Sequence, residues 1–303
     1  MVDQLKKDNI ELYHGLSHEL PVRIHKSSIK SVVTIHDLIF KIYPKTYSFM
    51  DRNIYDVKYK YSCKYSDRII AISNSTRNDI IQYYGIHPDK IDVVYQSCNL
   101  LYYTLQDPQE SKLVVNTYGL PNEYFLYVGS IEERKNIKII IESYDHLPYD
   151  MKLPLVIVGK GKKYKKEMMK LVASKGMEEL VIWVENVYDN YHLQSIYQNA
   201  MALIYPPLYE GFGLPVAEAL LSKTPVITAN VSSLPEAGGP NSIYINPLRS
   251  DELAYAMQTV LDDSQLRQNM KDSGFLYARE KFGSSVVAKQ MVDVYQKTIN
   301  GRS

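Results

Sequence analysis

Short apolar runs alternate with longer stretches of helical period along most of the chain. "SVVTIHDLIF" (31–40) reads as a buried strand running into a loop, "RIIAIS" (68–73) as a second strand and "KIDVVYQ" (90–96) as a third. Between the last two lies "NSTRNDIIQYYG", a helical pattern opened by Ser, Thr and Asn, whose side chains cap helix N-termini. "CNLLYYTLQDPQESKLVVNTYGLPNE" then follows, polar and interrupted by Pro108, Gly119 and Pro121, and reads as an interdomain segment. A second series starts beyond it. Strands "YFLYVGS" (124–130), "LPLVIVGKG" (153–161), "LVIWVENV" (180–187), "MALIYPP" (201–207) and "TPVITAN" (224–230) are separated by helical patterns. Fully apolar strands divided by helices imply parallel sheets with helices on both faces. Two such series predict an α/β protein of two doubly wound domains.

Composition narrows the class. The 303 residues are 45% hydrophobic and 23% charged, as in globular proteins. Lys and Arg number 35 against 34 Asp and Glu, a formal net charge of +1 that speaks against wholesale nucleic-acid binding. Two cysteines, Cys63 and Cys98, make no disulfide framework, so a reducing compartment is expected. No apolar run approaches the ~20 residues that span a bilayer. The opening "MVDQLKKDNI" lacks a signal-peptide core, and the chain reads as cytoplasmic. The 27 tyrosines are scattered and read mainly as compositional drift.

The richest stretch is "LYEGFGLPVAEAL" (208–220), with Glu210 and Glu218 on either side of Gly211, Gly213 and Pro215. Pro215 suits the first turn of a helix, where its missing N–H costs nothing, so a helix is expected from Leu214–Pro215. Ligands of open parallel sheets sit at the carboxyl ends of strands, beside helix N-termini that expose N–H groups and partial positive charge. The glycines would let backbone N–H groups approach a phosphate. Glu218 is expected in the first turn of that helix, where an acid also simply favours the helix dipole. Glycosidase acids stand ~5–9.5 Å apart, and the broken helix leaves that spacing undecided.

"EGFGLPVAEAL" resembles the paired-glutamate signature of retaining nucleotide-sugar glycosyltransferases of family 4, which have the GT-B fold. "FLYVGSIEERKN" (125–136) looks like the family's strand and Arg-Lys-Asn segment. "VVTIHDLIF" looks like its His-Asp loop, and "IIAISNSTRNDI" and "TPVITANVSSLPEAGG" look like further segments in the same order. The resemblance runs from about Asn9 to the end. It implies two Rossmann-like domains facing a cleft: an N-terminal, acceptor-side domain (1–107), a donor-binding domain (108–282) and a C-terminal helix (283–303) crossing back to the first. It also implies roles. Arg134 and Lys135 would bind the donor diphosphate, as a guanidinium fork and an ammonium can. The N–H groups of Phe212, Gly213 and Leu214 would hold the phosphates after Gly211, and Glu218 would accept both ribose hydroxyls. Glu210 would contact the transferred sugar, Gly129 would let the backbone pass close to the donor, and Val187 would pack near the base. His36, with Asp37 beside it, would face the transferred sugar. Catalysis would rest on Glu210, His36, Arg134 and Lys135 without a metal or other cofactor, and no Asp-x-Asp motif stands at a suitable strand end. The implied partners are a GDP- or UDP-linked sugar donor and a glycan or lipid-linked acceptor.

The chain departs from that pattern at its start, where "NIELYHGLSHELP" looks like the middle of the family's first domain. The first domain is therefore expected to be incomplete, lacking its first strands. A non-catalytic nucleotide-sugar binder or partner subunit is the second functional reading. Glu185, Pro207 and Lys223 stand where the family usually has Gly, Ser and Gly. "VGKGKKYKK" (158–166) lacks the spacing of a phosphate loop and reads as a solvated helix start. "YDVKYKYSCKYSDR" (55–68) interleaves Lys and Tyr, as in a helix resting peripherally on the inner face of a membrane.

Overall fold

The computed structural model describes residues 1–301; residues 302 and 303, the end of the expected C-terminal helix, lie outside the described residues. The chain forms two compact units. The first comprises Met1–Ser97, Glu210–Phe212 and the chain from Ser284 onward, and the second Cys98–Tyr209 and Gly213–Gly283.

The first unit holds β1 (Leu12–Gly15), β2 (Lys30–Ile35), β3 (Arg68–Ala71) and β4 (Ile91–Val93), all parallel and in chain order. Alternation along the strands sends Val33, Ile35, Ile69 and Ala71 to one face, where they pack with Ile80, Cys63 and Phe40. The helices Phe49–Tyr65 and Asn74–Tyr84 supply that cover. Ser48 and Ser73 cap them, accepting from the amides of Asp51 and Thr76. The other face presents Val32, Ile70 and Val94, which pack with Val287, Met291, Val294 and Tyr295 of the helix Ser284–Asn300.

The second unit holds β5 (Phe125–Val128), β6 (Leu155–Val158), β7 (Val181–Val184), β8 (Ala202–Tyr205), β9 (Val226–Ala229) and β10 (Ile243–Ile245). They pair in parallel in the order β10-β9-β8-β5-β6-β7. The chain winds outward from β5 to β7 and then returns to β8 on the other side of β5. The winding therefore reverses between β5 and β8, where such sheets open a crevice at their carboxyl ends. Leu126, Val156, Ile157, Leu203, Ile204 and Ile227 are fully buried, each contributing roughly 1.5–3 kcal/mol of apolar burial.

The polar segment read as a connector contains a helix, Pro108–Thr117. Asp107 caps it, accepting from the amides of Gln109 and Glu110, and Pro108 takes its first position. Gln106 ties the segment down by donating to Tyr191 O at 2.6 Å and accepting from Ser195 Oγ at 2.5 Å. Among the described residues no helix is long and apolar enough to cross a membrane.

Candidate functional site

In the second unit the turns after β5 and β8 are laced together. Leu208 donates its amide to Arg134 O (2.8 Å), and Arg134 Nη1 donates to Tyr209 O (2.5 Å). Lys135 Nζ donates to the hydroxyl of Tyr205, the last residue of β8, at 2.6 Å. Asn136, in a left-handed conformation, donates to Pro206 O (3.0 Å) and Pro247 O (2.8 Å). Two cations are thereby held at the point where the sheet reverses its winding. Gly129 follows directly on β5, and Val187 lies in the turn after β7, two strands from β5.

The helix Leu214–Leu221 starts where the Gly-Leu-Pro pattern predicts, with Pro215 in its first turn. Gly213 is its N-cap at φ 108°, and a Cβ there would stand 3.1 Å from Leu234 Cδ2, so the turn requires glycine. Glu218 is the fifth residue of this helix, in its second turn rather than the expected first. It therefore lies beyond the first-turn amides on which a dipole partner would act. Tyr197 donates its hydroxyl to Glu218 Oε2 at 3.0 Å. Burial pushes the Glu218 carboxyl up to about 7, while the Tyr197 hydrogen bond pulls the other way. Burial, reinforced by the Glu218 charge, also raises the Cys98 thiol and the Tyr102 phenol.

His36, Glu210, Gly211 and Phe212 fall in the first unit. Glu210 is 8% exposed. Ser73 Oγ donates to Gly211 O at 2.7 Å, and Thr76 Oγ1 donates to His36 O at 3.1 Å. A Cβ on Gly211 would stand 2.4 Å from His36 O, so only glycine fits. Phe212 lies beside Tyr95, with ring centroids 5.9 Å apart.

His36 is fully engaged in this neighbourhood. Its Nε2 lies 2.9 Å from Leu16 O, a pure acceptor, so Nε2 carries the proton. Nδ1 accordingly accepts from Gln96 Nε2 at 3.1 Å. The ring is an oriented imidazole with both nitrogens held in hydrogen bonds. Asp37 turns back to accept the Ile39 amide at 2.9 Å. His18, whose Nδ1 accepts the His36 amide, is pushed down to about 3 by burial and by His36. Among the described residues no group of three or more His, Cys, Asp or Glu side chains is placed to hold a metal ion.

The family profile described as Glycosyl transferases group 1 matches residues 114–276, more than half of the chain. The chain belongs to the group 1 glycosyl transferases. A second profile, Glycosyltransferase Family 4, matches residues 2–100. This glycosyltransferase is similar to O-antigen chain mannosyltransferase B of Escherichia coli, with 31% identity over 262 residues, 84% of this chain and 66% of that one. It is also similar to the Escherichia coli serotype-specific mannosyltransferase WbdA, with 27% identity over 86% of this chain and 33% of that one. The chain thus spans two thirds or less of the length of these relatives. Among solved structures it is similar to Anabaena Alr3699/HepE in complex with UDP and glucose, with a TM-score of 0.82 and 19% identity over 98% of this chain and 81% of that one. The sucrose-phosphate synthase of Thermosynechococcus elongatus gives a TM-score of 0.80 and 19% identity over 99% of this chain and 76% of that one. These likenesses show the fold: two parallel-sheet, Rossmann-like α/β domains of the GT-B architecture.

Sequence reasoning named the glycines, the cations and both glutamates. It missed Tyr205, which holds Lys135, and Tyr197, which holds Glu218. For Tyr205 the signal was a tyrosine closing the apolar run "MALIYPP"; Tyr197 sits in the mixed helical stretch "YHLQSIYQNA", which carries no such signal.

Proposed function

We propose that the chain transfers a hexose, with mannose as the first candidate, from a nucleotide-diphosphate sugar to a saccharide or lipid-linked acceptor, with retention of configuration. The pathway would be surface-polysaccharide assembly, in the cytoplasm. The observation that carries this is the Arg134–Asn136 segment laced to residues 205–209 beside the Gly213-capped helix, where the second sheet reverses. Two cations and a helix N-terminus at one place suit a diphosphate. The mannosyltransferase names of the relatives support the sugar, and the UDP in the Anabaena structure supports a nucleotide donor.

In this reading the bond from sugar C1 to the diphosphate oxygen breaks, and C1 bonds to the acceptor oxygen on the same face. The acceptor proton goes to a phosphate oxygen. Arg134, Lys135 and the helix N-terminus would stabilise the charge gathering on the leaving diphosphate. Glu210 would position the sugar and His36 would present a ring oriented by its two hydrogen bonds, while Glu218 would accept the ribose hydroxyls. Phe212, Gly213 and Leu214 would offer amides to the phosphates. Gly129 would border the donor, and Val187 the base. Incubating the chain with GDP-mannose or UDP-glucose and lipid extract tests transfer. Sugar incorporation that Lys135→Ala abolishes is expected. Incorporation that Lys135→Ala leaves unchanged would defeat the reading, and nucleotide binding without incorporation would favour the non-catalytic alternative.

The acceptor side has its own observation. The helix Phe49–Tyr65 leaves Phe49, Met50 and Val57 more than 70% exposed, and Ile54 44% exposed. These are not the tyrosines that the sequence suggested: Tyr55 and Tyr59 turn inward against the first-unit core, and Tyr65 stacks on His25. Exposed Lys45, Lys60 and Lys64 lie along the same segment. Apolar side chains among lysines fit an anionic bilayer surface, which suits a lipid-linked acceptor. Pelleting with anionic but not neutral vesicles, weakened by Val57→Asp, is expected; no lipid-dependent pelleting would remove membrane contact from the account.

A further inference from the structure

Tyr197 belongs to the helix Asn190–Gln198 and has no exposed surface. Thr224 Oγ1 donates to its backbone carbonyl at 2.6 Å, and Tyr102, from the turn Leu100–Tyr103, packs edge-on at 6.2 Å between ring centroids. The ring is fixed at its backbone and along its side. Its hydroxyl has one proton, and Glu218 Oε2 receives it. A carboxylate offers about four lone-pair directions, so this bond takes one and leaves the other oxygen whole.

We propose that Tyr197 is a positioning residue of the donor site, which through Glu218 sets how tightly the chain holds the paired hydroxyls of a ribose. This rests on the reading of Glu218 as the ribose acceptor. Two hydroxyls donating to one carboxylate need that carboxylate ionised and facing them. Burial works against the charge, pushing the group up to about 7, and the Tyr197 hydrogen bond works for it. The titratable groups bearing on Glu218 are Tyr197, Tyr102 and Cys98, all raised by burial and all neutral near pH 7. The helix Ser264–Phe282, which also packs on the signature helix, offers it a glycine, Gly274, against Leu220. With no cation in that set, the Tyr197 proton is the main support for the ionised form.

Tyr197→Phe keeps the ring and removes the proton. Titration calorimetry of the full chain with GDP and with UDP, across the neutral pH range, reads the consequence. In the wild type affinity should rise with pH through neutrality, and Glu218→Gln should flatten that rise. In Tyr197→Phe the dissociation constant near neutral pH should be about tenfold weaker, and the midpoint of the rise should move up by about one pH unit, the equivalent of a tenfold change. A role confined to packing would lower the melting temperature and leave the midpoint in place, which would overturn the proposal. Should Tyr197→Phe fail to fold, 3-fluorotyrosine at 197, a stronger donor of the same shape, should move the midpoint down, and an unmoved midpoint is again fatal. If the folded wild type binds neither nucleotide, the ribose reading fails first. If it binds and Glu218→Gln weakens it while Tyr197→Phe changes nothing, only the positioning role fails.

Discussion

The two sheets follow one parallel rule and meet the problem of burial differently. In the second, β5, β6, β8 and β9 are buried along their whole length, and apart from Thr228 of β9 the strands are continuous apolar runs. In the first, strand order follows chain order, and right-handed crossovers then place every connection on one face. The remaining face is covered by Ser284–Asn300, from the far end of the sequence, over a small apolar patch. Polar groups fill in around that patch. His14 sits between Thr34 Oγ1 (2.8 Å) and the Tyr295 hydroxyl (2.7 Å), and burial holds it below its ordinary pKa. Asp92 takes Arg68 from β3 and Lys297 from the distant helix. A sheet wrapped by its own crossovers writes its burial into local sequence; a sheet covered from a distance writes it partly as paired polar residues whose partners no local pattern shows.

The largest consequence expected concerns the cations at the reversal point. Lys135→Ala should lower transfer by about a hundredfold or more, the scale seen when one donor to a developing oxyanion is lost, with little change in melting temperature. A matching collapse of the fold would instead make Lys135 a tie for Tyr205. Next come the cores themselves. Leu203→Ala in β8 and Ile70→Ala in β3 should each cost about 2–5 kcal/mol in urea unfolding, Leu203 toward the top of that range and Ile70 toward the bottom. A lone covering helix can settle into the cavity more readily than a sheet enclosed on both faces. Equal costs would erase the contrast drawn between the two sheets.

A smaller effect should appear in the pH dependence of the unliganded chain. Glu218 binds its proton more tightly folded than unfolded, so its contribution to stability is whole below about 4.5 and is lost as pH rises through about 7. Glu218→Gln should flatten that part of the profile, as read by chemical denaturation at several pH values. Nucleotide affinity should run the other way, rising with pH over the same window.

The sequence was most legible where burial is local. The β5–β9 runs and the helix start at Leu214–Pro215 needed only apolar continuity and a Gly-Leu-Pro turn. Pro108 was read as a breaker, although after Asp107 it marks a helix start, and the helix was missed for that reason. The tyrosines were read as drift, yet Tyr124, Tyr127, Tyr144, Tyr197 and Tyr205 are buried. The hydroxyls of the first three go to Ile196 O, Ser130 O and Leu153 O. Period and composition cannot show that a phenol has a partner across the fold. The same limit hid the setting of Glu218, since Tyr197 stands 21 residues away and Tyr102 and Cys98 come from ahead of β5.

The most direct test of the central claim, that the second unit carries a nucleotide-sugar donor site around Arg134, Lys135 and Glu218, is a thermal shift of the whole chain with GDP, UDP, ADP and their sugars. A nucleotide at a hundred times its dissociation constant adds ~2.7 kcal/mol of stability. A shift with one of these nucleotides that Glu218→Ala abolishes is expected. A well-folded chain whose melting temperature moves with none of them would contradict the claim.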